Sequence, residues 1–391
     1  MDDSKAPEAA AAAAAPYTWV DTPAAFQLMR DALRPAERIA IDIEADSLYH
    51  YFEKVCLIQI STDDLTFVLD PLALSDLSAL APIMSDTGVE KVFHAASYDV
   101  LSLRRDFAFS FSNIFDTHMA AQLLGYPELG LSALLAKLIG VAHSKHRQRD
   151  DWSRRPLGRE QLQYAAMDTH HLLAMRDRLE ARLREKGRWE WALEEFEVAA
   201  AVETREKEFD PQGFRRIKGS RHLTLRELAI LRALFLLRDR LAREMDLPPF
   251  KVLNNSVLLD LARRPPASPG ALPGRPGISG RIAQRHSRDI HQAIESARSQ
   301  DPSYLAPPER APWKPPPHET KLRLERLKAW RESKARELEL QAGVVFPGDL
   351  LENFALSPPS DLKALENLRG MRRWRARTFG SEILHLLHSN P

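Results

Sequence analysis

The chain has 391 residues, one cysteine and a formal net charge of +1, with 44% hydrophobic and 28% charged residues. This length suffices for two or three domains, each able to bury its own core. The single cysteine, Cys56, excludes both a disulfide framework and a cysteine-rich zinc site. The near-neutral total charge argues against a nucleic-acid-binding protein, but counting the charges segment by segment removes this argument.

The charge is distributed unevenly along the chain. Residues 1–214 contain 23 Lys/Arg against 35 Asp/Glu, a net charge of −12. Residues 215–300 contain 17 against 7, a net charge of +10, and residues 301–391 contain 15 against 12, a net charge of +3. An acidic first part followed by a basic second part indicates that the two parts have separate functions.

The first residues do not have the pattern of a targeting signal. They begin Met-Asp-Asp-Ser-Lys and continue as an alanine run that stops at Pro16, whereas a secretory signal has a basic start and a more apolar stretch. No segment approaches the ~20 apolar residues of a membrane-spanning helix. We therefore expect a disordered tail at 1–16, no membrane association and a cytoplasmic location.

Strand and helix patterns alternate in the acidic part. Short runs rich in β-branched residues predict strands at 38–44, 55–61, 66–70 and 89–94. Amphipathic patterns predict helices at 72–84, 97–105, 116–124, 131–139, 160–185 and from about 189 to 207. This interleaving predicts an α/β domain over residues 17–210, with a mixed sheet flanked by helices.

The basic part has only helical patterns and contains an internal repeat. Leu231–Ile294 aligns without a gap on Leu324–Leu387, and 17 of the 64 positions are identical. The alignment keeps one register across a helix, a turn and a Pro-Pro pair, as expected for two copies of one unit. We predict two small all-α domains at 215–300 and 321–391, joined by a stiff proline-rich linker at 301–320.

One arginine occupies the same position in both copies of the repeat. Arg238 in the first copy aligns with Arg331 in the second. A residue present in both copies predicts an element of the fold, such as an ion pair with Glu244 or Glu337 in its own copy.

Several acidic residues stand where a predicted strand or helix begins or ends. Asp42 and Glu44 lie two apart on a strand, so that both side chains are on one face, where a cation or solvent must neutralise them. Asp99 opens a helix, which is also an ordinary position for an acid. Tyr164 and Asp168 lie four apart and share a helix face. Taken alone, each of these features favours an ordinary structural position over a functional one.

Taken together and in order, these motifs resemble a known superfamily. The chain resembles the DEDD 3′→5′ exonucleases with a tyrosine in the last motif, and within them ribonuclease D, at Asp42-Ile43-Glu44, 94–99 (His-Ala-Ala-Ser-Tyr-Asp) and 164–168 (Tyr-Ala-Ala-Met-Asp). Segments 115–117 and 151–157 are similar to the same family. The repeated unit resembles the HRDC domain, a small helical nucleic-acid-binding module. The resemblance covers nearly the whole chain apart from the alanine-rich tail.

This resemblance implies a ribonuclease H-like fold and a metal-dependent hydrolase. Asp42, Glu44, Asp99 and Asp168 would hold two divalent cations, Mg²⁺ or Mn²⁺. The enzyme, a monomer, would release nucleoside 5′-monophosphates from the 3′ end of RNA, with tRNA precursors carrying 3′ extensions as substrates. Tyr164 would orient the attacking water rather than act as a base, because a free phenol pKa of ~10 is poorly matched to neutral pH.

An acidic cleft repels the phosphates of its substrate, so that cations elsewhere must offset the repulsion. Candidate RNA-binding residues in the exonuclease-like part and the first HRDC-like unit are Arg154, Arg155, Arg215, Arg216, Arg240 and Arg243. Phosphate contacts of this kind give affinity without sequence readout. The second HRDC-like unit has a basic cluster around Trp374, formed by Arg369, Arg372, Arg373, Arg375 and Arg377. For this cluster, weaker RNA binding and closure of a ring of domains are alternatives.

Two other functions fit parts of the pattern. A DNA-directed 3′→5′ exonuclease would use the same acids, and an inert nucleic-acid-binding scaffold would not need all four together with Tyr164. A helicase is excluded because the chain has no Gly-x-x-x-x-Gly-Lys-Ser/Thr loop. Four histidines near the last motif have no assigned role, and surface or packing positions are the ordinary interpretation: His143, His146, His170 and His171.

Overall fold

The computed structural model describes residues 15–144, 146–202, 209–306 and 315–388. Most of the predicted tail at 1–16 and the middle of the predicted linker at 301–320 therefore lie outside the described residues. The chain divides into two compact units, one within 1–45, 55–204 and 314–391 and the other within 46–54 and 205–313. Among the described residues, no helix combines the length and the apolar character needed to cross a membrane.

The first unit contains a mixed six-stranded sheet with the order β1-β4-β3-β2-β5-β6. Its strands are β1 (Thr18–Val20), β2 (Arg38–Ala45), β3 (Val55–Ser61), β4 (Thr66–Leu69), β5 (Glu90–Phe93) and β6 (Ile114–Asp116). The central strand β2 pairs antiparallel with β3 and parallel with β5. Strands β1 and β6 have no signal in the sequence, because three residues are too few to show an alternating pattern.

Helices pack against this sheet and confirm the predicted α/β class. They are α1 (Pro23–Leu33), α2 (Ala81–Ser85), α3 (Ser97–Phe107), α4 (Thr117–Leu123), α5 (Leu131–Leu134), α6 (Arg159–His170), α7 (Leu172–Glu185) and α8 (Trp189–Ala200). Helix α5 continues as a π-helical turn at Leu135–Ile139.

Two helix predictions in this unit were wrong. Over 72–84 the structure has only a 3₁₀ turn at Ser78–Leu80, followed by the start of α2. Pro82 lies in the first turn of α2 because proline cannot donate the hydrogen bond required further inside a helix. The predicted single helix at 160–185 is two helices, broken at His171, whose φ of −108° and ψ of 2° are not helical.

The second unit is all-helical and contains the first repeat. Its helices are α9 (Leu225–Glu244), α10 (Pro249–Val252), α11 (Asn255–Arg263) and α12 (Gly280–Ser299). Thr224 and Glu227 form a capping box that begins α9. The segment 46–54, which follows β2 in sequence, belongs to this unit: the Tyr51 hydroxyl donates to Asp239 at 2.8 Å, and His50 Nδ1 lies 2.7 Å from Asp246.

The second repeat belongs to the first unit and has the same helix succession. Its helices are α13 (His318–Glu337), α14 (Ala342–Val345), α15 (Gly348–Leu356), α16 (Leu362–Glu366) and α17 (Arg373–His388). In both copies an acidic residue with positive φ follows two positions after the end of the long first helix, Asp246 at 46° and Glu339 at 54°. The next amide in each copy bonds back to the helix, Leu247 to Ala242 at 2.9 Å and Leu340 to Ala335 at 2.8 Å, which is a Schellman motif.

The repeated arginine is a fold element, but its partners are not those predicted. Arg238 donates to the carbonyl of Leu253 at 3.1 Å, and Arg331 donates to the equivalent carbonyl of Phe346 at 3.3 Å. The predicted ion pairs with Glu244 and Glu337 were wrong. Main-chain acceptors carry no residue signature, which is why the sequence could not indicate them.

The second repeat packs directly on α8. Trp191 of α8 stacks on Trp374 of α17, with ring centroids 4.4 Å apart and an interplanar angle of 16°. The buried apolar cluster of this unit includes residues of both segments, such as Phe196 and Phe379. The second repeat is therefore built into the same hydrophobic core as the helices that cover the sheet.

Acidic side chains of α8 form ion pairs and hydrogen bonds with the basic cluster at the start of α17. Glu195, 6% exposed, accepts from Arg372 Nε at 3.0 Å, Trp374 Nε1 at 3.0 Å and Arg375 Nη1 at 3.2 Å. Glu194 accepts from the backbone amides that open α17, at 2.7 and 2.8 Å, where a carboxylate also complements the helix dipole. Much of this basic cluster is thus neutralised inside the protein.

Candidate active site

The central strand and one helix bring the predicted carboxylates together. Strand β2 places Asp42 and Glu44 on one face, and α6, which packs on β2, β3 and β4, supplies Asp168. Ligand oxygens of these three residues all lie within 4.8 Å of one another. They line a cleft of about 300 Å³, together with Ser132, Gln148 and Tyr164 among others.

Asp99 stands beside this group rather than within it. It lies in the first turn of α3 and is 6% exposed. Its charge interacts with those of Asp42 and Asp168, although the group of mutually close ligand atoms contains only Asp42, Glu44 and Asp168. The structure therefore brings three of the four predicted acids into one cluster and the fourth to its side.

The acids destabilise one another's charged forms. Burial, followed by the charge of Asp168, raises the pKa of Asp42, and burial, followed by the charge of Asp42, raises the pKa of Glu44 and of Asp99. Burial also raises the pKa of Asp168. Clustered carboxylates raise one another's pKa in this way when no cation is present to compensate.

The donor set suits a hard divalent cation. It consists of carboxylate oxygens, the ligands that Mg²⁺ and Mn²⁺ prefer. Asp168 Oδ2 is buried and has no hydrogen-bond partner among the described residues. Since a buried polar atom without a partner is costly, this oxygen is suited to coordinate a cation.

Tyr164 lies one turn before Asp168 on α6 and is 8% exposed. Burial and the nearby carboxylates, Asp168 first, raise its pKa. The hydroxyl therefore stays protonated at neutral pH, so Tyr164 can orient a group by hydrogen bonding but cannot serve as a base. Its ring contacts Trp152, which is 1% exposed and part of the core.

Of the four histidines without a predicted role, His143 belongs to the cleft. Its Nε2 lies 2.7 Å from Asp168 Oδ1, and both side chains are almost fully buried. The sequence does not indicate this contact, because the two residues are 25 positions apart and a lone histidine is usually a surface or packing residue. His146 lines a neighbouring cavity, and His170 bonds Thr66 at 3.0 Å.

The arginines predicted to bind RNA all have protein partners. Arg155 is the most strongly engaged, since it donates two bonds to Asp70 at 2.6 and 2.7 Å and one to the Cys56 carbonyl at 2.8 Å. Among the others, Arg154 pairs with Asp151, Arg216 with Asp210 and Arg240 with Glu244. Arg215 donates to the Leu305 carbonyl, and Arg243 donates to the Tyr51 hydroxyl. Exposed pairs of this kind contribute little energy, so that Arg154, Arg216 and Arg240 can exchange partners.

Comparison with known proteins identifies the family. The 3'-5' exonuclease family matches residues 17–184, and the HRDC domain family matches residues 227–294 and 321–387. The chain is 31% identical to ribonuclease D of Gluconacetobacter diazotrophicus over 359 residues, which cover 91% of this chain and 89% of that protein. The chain belongs to the ribonuclease D family. As a member, it is a hydrolase of the 3′→5′ exoribonuclease class.

Solved structures agree with membership of the ribonuclease D family. The structure of Escherichia coli RNase D matches with a TM-score of 0.68 and 26% identity, covering 96% of this chain and all of that one. The catalytic core of RRP6 from Trypanosoma brucei matches with a TM-score of 0.68 and 30% identity, covering 73% of this chain and 81% of that one. The mixed sheet and the helical domains described above are therefore those of the family.

Proposed function

We propose that this exoribonuclease shortens the 3′ ends of structured RNA, with tRNA precursors carrying 3′ extensions as substrates, and that it acts as a cytoplasmic monomer. The observation that carries the proposal is the group formed by Asp42, Glu44 and Asp168 in one cleft beside Tyr164. The similar Escherichia coli RNase D is described as an exoribonuclease involved in structured RNA processing, which supports the choice of substrate.

We further propose that Asp42, Glu44, Asp99 and Asp168 hold two divalent cations, Mg²⁺ or Mn²⁺. The mutual repulsion of these acids and the unpartnered Oδ2 of Asp168 support this assignment. When bound, the cations would stabilise the charge of the scissile phosphate and lower the pKa of water.

The residues of the chain then have separate tasks in hydrolysis. The Tyr164 hydroxyl orients a water molecule toward the terminal phosphorus. The water oxygen bonds to phosphorus, and the bond between phosphorus and the 3′ oxygen of the preceding nucleotide breaks. The products are a nucleoside 5′-monophosphate and an RNA with a new 3′ hydroxyl.

Exposed arginines of the first repeat are proposed to hold the RNA backbone. Arg281, Arg285 and Arg288 are exposed on α12, and their spacing of four and three places them on one helix face. None of them has an ion-pair partner among the described residues. This spacing is visible in the sequence and would have added them to Arg215, Arg216, Arg240 and Arg243 as RNA-binding candidates.

The metal site is tested by changing one of its acids. We expect Asp42→Asn to abolish shortening of a 3′-extended tRNA precursor, because it removes a charged ligand, while RNA affinity stays near that of the unchanged protein. The assay follows product length on denaturing gels with Mg²⁺ or Mn²⁺, and EDTA should stop the reaction.

Asp64→Asn is the matched control, since Asp64 is exposed between β3 and β4 and does not line the cleft. Full activity of the Asp42 variant would refute the site. An RNA and a DNA oligomer of one sequence, compared in the same assay, distinguish the proposed substrate from the DNA-directed alternative, because only RNA offers the 2′ hydroxyl.

A further inference from the structure

His143 makes a buried contact with the last acid of the site. Its Nε2 lies 2.7 Å from Asp168 Oδ1, and the two side chains are 5% and 6% exposed. As a cation ligand Asp168 is ionised, and an ionised carboxylate can only accept hydrogen bonds, so that in this state the Nε2–H of His143 is the donor. A charge-assisted bond in a buried position is among the stronger hydrogen bonds.

Because of this bond, the two carboxylate oxygens of Asp168 have different surroundings. Oδ1 is occupied by His143, whereas Oδ2 is buried and has no partner in the described part of the chain. The carboxylate is therefore held in one orientation, with a single oxygen left for a cation. Outer partners that orient a ligating carboxylate commonly tune the affinity of a metal site.

The same histidine also contacts the other functional residue of α6. The rings of His143 and Tyr164 stack with centroids 5.2 Å apart and an interplanar angle of 23°. Because Tyr164 and Asp168 lie one turn apart, a single side chain from the segment before α6 touches both. His146, three residues later, lines only the neighbouring cavity among the cavities described.

We propose that His143 is a positioning residue, which holds Asp168 in the orientation that binds a divalent cation. This inference rests on the proposed metal site. Loss of the donor should leave Asp168 free to rotate and should weaken cation binding, without changing how the RNA is held elsewhere on the protein.

The test compares His143→Leu with His143→Gln, using Mn²⁺ binding without RNA as the first measurement. Electron paramagnetic resonance titration should show an affinity ~10–100-fold lower in the leucine variant, the usual range for a lost outer partner. The glutamine variant, whose amide can donate at a similar reach, should recover most of that affinity. RNA shortening should show a lower kcat in the leucine variant with KM nearly unchanged.

His146→Leu is the matched control and should bind Mn²⁺ like the unchanged protein. Thermal unfolding in EDTA identifies any variant that does not fold. If the leucine variant does not fold, the Mn²⁺ affinity of the milder glutamine variant is compared with that of the unchanged protein. Equal Mn²⁺ affinity in the leucine variant and the unchanged protein would overturn the inference, as would a glutamine variant no better than leucine. An inactive Asp42→Asn beside an unaffected His143→Leu rejects this inference alone, whereas an active Asp42→Asn rejects the metal site as well.

Discussion

The two HRDC copies have one fold but present the same helix differently. Helix α12 of the first copy and α17 of the second begin at equivalent positions, 93 residues apart. The equivalent residues on this helix are Arg281 and Trp374, Arg285 and Thr378, and Arg288 and Ser381. In the first copy this helix carries exposed cations, whereas in the second it carries a tryptophan that is buried against α8.

This difference shows that a basic cluster in a sequence is not by itself a nucleic-acid surface. The second copy has its own arginines beside Trp374, but Glu195 receives Arg372 and Arg375, and Glu197 receives Arg373. The first copy has no such acidic helix against α12 among the described residues of its unit. Whether an arginine cluster is available to RNA or contributes to the fold therefore depends on its ion pairs within the protein and not on the number of arginines.

Removal of the second copy should have the largest effect. Truncation before Pro315 uncovers Trp191 and leaves the buried Glu195 without its donors, so that we expect a large loss of stability of the exonuclease domain. Calorimetry should show the melting temperature falling by ~10 °C or more, since ~1 kcal/mol corresponds to ~2–4 °C in domains of this size.

If the truncated protein had the same melting temperature as the full chain, the shared core would be contradicted. The same reasoning affects a truncation at residue 215, which removes both copies. Such a protein cannot report on RNA binding alone, because it also uncovers α8.

A single substitution at the interface should have a smaller but clear effect. Glu195→Ala leaves the guanidinium of Arg375 buried without its carboxylate, and breaking one side of a buried ion pair costs ~3–5 kcal/mol. Urea unfolding should show a lower midpoint. Glu197→Ala is the matched control: Glu197 is 68% exposed, and an exposed pair contributes ~0–1 kcal/mol. Equal losses in the two variants would mean that burial does not decide the strength of this contact.

The smallest effect is expected on RNA binding through the first copy. Replacement of Arg281, Arg285 and Arg288 by alanine should weaken binding and reduce the slope of log affinity against log salt by ~2, because each single-strand phosphate contact contributes ~0.7. Fluorescence anisotropy with a labelled RNA at several salt concentrations measures this slope, and stability should not change.

The control for this charge variant lies in the second copy. Arg369 and Arg377 are exposed there, and their replacement by alanine should change the salt slope less than the triple variant does. If the two variants have equal slopes, both copies bind RNA and the contrast between them disappears.

Patterns of local spacing were sufficient for four of the six strands, for the repeat and for the pairing of Asp42 with Glu44 on one face, whereas the convergence of these acids with Asp168 was implied by the family resemblance. Strand β2 was predicted because its β-branched residues are consecutive, and the alternation along it placed Asp42 and Glu44 on one face. The repeat was predicted because helix, turn and Pro-Pro pair keep one register, and the two Schellman motifs confirm that register.

The features that the sequence could not indicate are contacts between distant residues. Glu195 and Trp374 are 179 positions apart, and nothing in either local pattern points to the other. The bond of His143 to Asp168 is hidden for the same reason. Arg155 lies in a basic run, and its guanidinium donates to Asp70, 85 positions earlier, a contact that its local neighbours do not indicate.

The shared core also has a consequence for synthesis on the ribosome. Chains usually fold domain by domain as they emerge, the first domain first. Here the face of α8 that contacts α17 stays exposed until 179 further residues, from Glu195 to Trp374, have been added. The nascent chain therefore exposes this acidic and aromatic face of α8 throughout the synthesis of the first repeat, and the face is buried only after the second repeat has emerged.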